Sequence, residues 1–121
     1  MVFTYFFSKN INKILYSSAP HAFFEMRFIV RTIFPTEAGN RAVKDPNFTK
    51  NIEDFMKNTK AEAAYFTEIN GDRTGVFIVD IPSADMIPVI AEPFFLMGAK
   101  VEFHPAMVLD DLKKGLSVAL K

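Results

Sequence analysis

Arg31, Glu102 and His104 are the residues whose types could do chemistry together. A guanidinium grips a carboxylate through two parallel N–H donors, and an imidazole beside a glutamate can take up or release a proton near neutral pH. Arg27, Ile29, Arg31 and Ile33 alternate with Phe28, Val30 and Phe34, so a period of two places Arg31 on one face of a strand. The same period puts Lys100, Glu102 and His104 on one face of a second strand, with Val101 and Phe103 on the other. Were the two strands antiparallel neighbours, Arg31 would serve as anion clamp, His104 as general acid or base, and Glu102 as the group orienting the imidazole. The same spacing equally suits a plain cross-strand ion pair, with His104 ending its strand before Pro105.

Two further residues enter as substrate-binding candidates. The Tyr65 hydroxyl could bond a ligand, although tyrosine is also a favoured strand residue with a wet tip. Glu92 lies in an apolar stretch before Pro93, where amides missing at Pro88 and Pro93 would leave carbonyls open beside a polar pocket. It suits a solvent-facing position just as well. The polar run Thr36–Arg41 reads either as a binding loop or as an ordinary solvated one.

Composition narrows the chemistry. The chain has 121 residues, 50% hydrophobic and 23% charged, which suits one folded domain and not a disordered tail. Fourteen basic and fourteen acidic residues cancel, so nucleic acid is disfavoured as a partner. The absence of cysteine removes disulfides, thiolate metal sites and cysteine nucleophiles. Two histidines far apart in sequence make an all-histidine metal site improbable. No P-loop, dinucleotide fingerprint or nucleophile elbow occurs.

Residues 1–25 form a different population. Phe, Tyr, Met, Ile, Asn and Lys together fill 14 of these 25 positions, against 36 of the other 96, and Gly, Arg and acids are scarce. Polar residues interrupt every apolar run well short of the ~20 residues of a membrane span. The lysines sit mid-segment, where a secretory signal would place its apolar region. We read this stretch as an atypical extension outside the natural domain, with Met26 as the expected natural start and a cytoplasmic protein following it.

From residue 26 the elements alternate. Arg27–Phe34, rich in β-branched and aromatic residues, reads as a strand ended by Pro35. Residues 35–45 read as a loop around Gly39. Asp45-Pro46 reads as a helix start with Phe48, Ile52, Phe55 and Met56 on one stripe. Ala63–Ile69 and Arg73–Ile81 flank Asn70-Gly71, the dipeptide of a two-residue hairpin turn. A helix-like segment from Ser83 stops at Gly98, a fourth strand spans Lys100–His104, and Asp110 or Asp111 caps a last helix carrying Leu109, Leu112, Leu116 and Leu120.

The order βαββαβ plus a terminal helix predicts a ferredoxin-like α+β domain over residues 26–121, with an antiparallel sheet of strand order 4-1-3-2 and helices on one face. Apolar residues on both faces of the first strand call for a second cover, which pairing two sheets in a homodimer supplies. An RNA-recognition sheet of this topology stacks bases on third-strand aromatics; in Arg73–Asp80 only Arg73 and Phe77 fit that pattern.

Glu62–Phe66 with Arg73-Thr74, the stretch Ile87–Phe95, and Val101-Glu102-Phe103-His104-Pro105 with Met107, Asp111 and Leu112 resemble a family of small uncharacterised bacterial proteins. That family is similar to the dimeric α+β barrel superfamily, with its muconolactone-isomerase-like, antibiotic-monooxygenase-like and YCII-like branches. The resemblance covers nearly all of residues 26–115. It implies a homodimer acting on small organic molecules, often without metal or organic cofactor. Its catalytic residues vary between branches, so none transfers here.

The expected function is therefore binding of a small anionic or aromatic metabolite, with cofactor-independent isomerisation or oxygenation as the chemistry that would go with it. The alternative is a non-catalytic ligand-binding or assembly module whose sheet face serves dimerisation only. A cavity between sheet and helices lined by convergent polar groups separates the two.

Overall fold

Asn70 and Gly71 both adopt positive φ, 53° and 85°, the left-handed pair that a two-residue hairpin turn requires. They join β2 (Ala63–Ile69) to β3 (Asp72–Asp80). The computed structural model describes residues 26–121, and the expectations for residues 1–25 lie outside the described residues.

The other elements are β1 (Arg27–Phe34), α1 (Thr36–Lys44), α2 (Phe48–Thr59), α3 (Met86–Phe95), β4 (Lys100–Pro105) and α4 (Leu109–Ala119). The fold is α+β. Its sheet runs β2-β3-β1-β4 from the β2 edge, all neighbours antiparallel; the same strands read from the β4 edge run 4-1-3-2. β1 is central, with Arg31 opposite Val76 on one side and Glu102 on the other.

Alternation divides the sheet. Val30, Phe34, Phe77 and Val79 face α1–α3 and join Ala42, Met86, Ile90 and Phe94 in the buried core. Phe55 of α2 sits edge-on to Phe77 and Phe94, with ring centroids 5.0 Å away in each case. Ile29, Arg31, Val76 and Ile78 belong to the opposite face. Among the described residues no helix is long and apolar enough to cross a membrane.

The segment expected to be a loop at residues 35–45 is helical. Its buried positions are Ala38, Gly39 and Ala42, a stripe too small to register as an apolar period yet well suited to close packing on the sheet. Glu37 in the first turn and Arg41 and Lys44 in the last complement the helix dipole. This moves the next boundary as well. Asp45 does not cap a helix starting at Pro46; it follows α1, and α2 begins at Phe48. The Asp45 carboxylate accepts the Asn47 N–H at 2.9 Å and its carbonyl accepts the Phe48 N–H at 3.0 Å, holding the turn between the helices.

The helix expected from Ser83 starts at Met86, after a turn closed by Met86 N–H donating to the Ser83 carbonyl. Pro88 falls in its first turn, where no intrahelical donor is needed, and Pro93 lies inside it. At α4 the cap is Val108, whose N–H donates to the Asp111 carboxylate at 3.1 Å. No residue of α4 is buried, and Leu109, Leu112, Leu116 and Leu120 are exposed.

Candidate functional site

Register brings Arg31 and Glu102 directly opposite each other, with His104 two residues further along β4 on the same face. Arg31 Nη1 lies 3.1 Å from Glu102 Oε1, and His104 Nε2 lies 3.0 Å from the same oxygen. One carboxylate oxygen thus serves both partners. Arg31 Nε is buried without a hydrogen-bond partner. The Arg31 side chain is 28% exposed and that of His104 53%, so solvent screens both contacts and neither holds the fold together by itself.

The hydrogen bond from His104 holds the Glu102 carboxyl below the ordinary glutamate range, the charges of Arg31 and His104 add to that, and partial desolvation opposes it. A lowered folded-state value means that ionised Glu102 contributes stability above its unfolded pKa. That contribution is lost as pH falls through the folded value. Glu102→Gln is expected to flatten the acid limb of a Tm-versus-pH curve, the gap between wild type and variant closing as pH falls. Parallel curves would show that the cluster has no energetic coupling to folding.

Tyr65 occupies the same cross-strand row, opposite Val76, which is in turn opposite Arg31. Two strand spacings, roughly 10 Å, separate its backbone from that of Arg31, and it is exposed. Glu92 is exposed on α3, a helix whose Ile90 and Phe94 pack on the other side of the sheet. The fold therefore unites Arg31, Glu102 and His104, and leaves Tyr65 and Glu92 apart from them.

A second feature lies on the helix side. A cavity of about 1030 Å³ opens between β1–β3 and the helices α1 and α2. Phe34, Phe48, Ile52, Met56, Phe66 and Phe77 form its apolar walls, with Thr32 and Gly75 also lining it. Its charged lining residues are Glu53, Lys57, Lys60 and Arg73, an excess of positive charge. None of Arg31, Tyr65, Glu92, Glu102 or His104 lines it.

Arg73 is the functional candidate that sequence reasoning passed over. Its signal was present: it stands in phase with Phe77 and Val79, so it is a charged residue on the apolar face of its strand. In the sheet it lies opposite Phe34. Its Nη1 donates to Asn40 Oδ1 of α1 at 3.0 Å.

Compared with protein-family models, with curated proteins and with solved structures, the chain matches none. The site must be argued from its own geometry.

Proposed function

We propose that the protein binds a small metabolite with a largely apolar or aromatic body in the cavity between the sheet and α1–α2. The cavity carries this reading: its volume suits an organic molecule of drug size, and its walls combine aromatic rings with a few polar groups. In the same reading the domain is ferredoxin-like and forms one half of a homodimeric α+β barrel. The β1–α1–α2–β2–β3–α3–β4 order, a βαββαβ pattern with two helices in its first crossover, and the half-buried Ile29, Val76 and Ile78 on the face away from α1–α3 support that pairing.

Catalysis is a second reading, favoured by one observation. Glu102 Oε1 holds Arg31 and His104 together, the arrangement of a proton-transferring imidazole beside an anion clamp. It would act on a ligand at the sheet face turned away from α1–α3, since the sheet separates it from the cavity. The non-catalytic module becomes the stronger rival to an enzyme for that reason.

Titration with N-phenyl-1-naphthylamine, a neutral aromatic whose fluorescence rises in apolar surroundings, tests the binding reading. Saturable binding of one probe per chain is expected, together with twice the subunit mass by light scattering. No saturation up to the probe's solubility would overturn the binding reading, and a monomer would overturn the barrel.

A further inference from the structure

The surroundings of Arg73 leave its guanidinium facing a neutral partner. The other sheet arginines each meet a carboxylate: Arg27 pairs with Glu62 and Arg31 with Glu102. Among the described residues no acidic group forms an ion pair with Arg73. Glu68 stands directly opposite it across the hairpin, but the Glu68 carboxylate accepts the Gly71 N–H at 2.8 Å in the turn. The Asn40 amide oxygen takes one of the five N–H donors of Arg73 and adds no negative charge.

Gly39 provides an independent sign that this placement is built in. It lies inside α1 without a positive φ, so its backbone has no need of glycine. Glycine in a helix interior is less favourable than alanine. A Cβ at this position would stand 2.8 Å from Arg73 Nη1 and 3.3 Å from its Cδ. With no Cβ at Gly39 the guanidinium has room beside α1 at the edge of the cavity, where Asn40 accepts from it.

We infer that the cavity takes an organic monocarboxylate with an aromatic or branched aliphatic body, its carboxylate held by the guanidinium fork of Arg73. This rests on the binding reading above and names the class of ligand. The remaining donors of a planar fork match the two oxygens of a carboxylate. Phe34, Phe48 and Ile52 beside it take the apolar body. Asn40 and Gly39 are positioning residues, acting through Arg73.

Calorimetric titration of the full chain with 2-naphthoate, its neutral isostere 2-naphthamide and 2-naphthyl phosphate tests the assignment. 2-Naphthoate is expected to bind at least about tenfold more tightly than 2-naphthamide, the scale of a hydrogen bond to a charged group. Arg73→Gln should weaken 2-naphthoate about 10- to 100-fold and 2-naphthamide far less, since only the acid loses a charge-assisted bond. Asn40→Ala and Gly39→Ala should produce smaller losses confined to the acid. Equal affinities for acid and amide in the wild type, or an equal loss of both in Arg73→Gln, would overturn the carboxylate assignment while the binding reading stands. Tighter binding of the phosphate would also overturn it. Failure of all three probes would overturn the binding reading itself.

Discussion

Replacing Phe94 with alanine is expected to remove about 3–5 kcal/mol of stability, much of what a domain of this size possesses. Phe94 is 2% exposed. Its ring meets those of Phe34, Phe55 and Phe77 at centroid distances of 6.3, 5.0 and 6.0 Å. These neighbours come from β1, α2 and β3, so truncation opens a hole at a point where three elements converge. None of the three rings can move in without leaving its own contacts, and the lost packing is not recovered. Urea unfolding should show a lower midpoint with nearly the same m-value. Phe95→Ala is the matched control: its side chain is 47% exposed, and it should cost under about 1.5 kcal/mol. Similar midpoints for the two variants would mean that Phe94 is not the keystone of this core.

Gly75→Val is expected to damage folding and ligand capture together. A Cβ at Gly75 would lie 3.0 Å from Phe77 Cε2 and 3.0 Å from Thr32 Oγ1. Phe77 is fully buried and wedged among Phe55, Phe66 and Phe94, so it cannot yield cheaply. Overpacking of this kind costs about 1–3 kcal/mol. The valine methyls would also project beside Thr32 at the cavity wall, and N-phenyl-1-naphthylamine should bind the folded variant at least about tenfold more weakly, a loss of about 1.4 kcal/mol. A variant that binds the probe as the wild type does would place the ligand elsewhere.

Much of this was legible from residue periods. The four strands announced themselves through β-branched and aromatic residues, Asn70-Gly71 marked the hairpin, and alternation was enough to set Arg31, Glu102 and His104 on one face. α1 was not legible. Its inward residues are Ala38, Gly39 and Ala42, which give no large apolar stripe, and Gly39 and Asn40 have weak helix propensity. Close packing on the sheet outweighs that propensity, and the glycine leaves room for a side chain thirty-four positions later that local sequence could not reveal. Arg73 was legible in principle through its phase with Phe77, but its meaning depends on Asn40 and on Glu68 being occupied elsewhere. The leucine stripe of α4 was readable as a helix face; its exposure followed from tertiary placement, which no local period reports.

The hairpin turn also acts as an address. Arg73 follows Gly71 by two residues, and the type of turn decides which side of the sheet each β3 residue enters. A turn lengthened by drawing in Asp72 would reverse that parity for the start of β3. Thr74 would then take the place beside Phe34, and the arginine would cross to the side of Glu102 and His104. The cavity would lose its arginine and the far surface would gain a further basic group beside Arg27, Arg31, Lys100 and His104, all without altering a single side chain. What the cavity recognises is thus written partly in the length of a connection that never touches it.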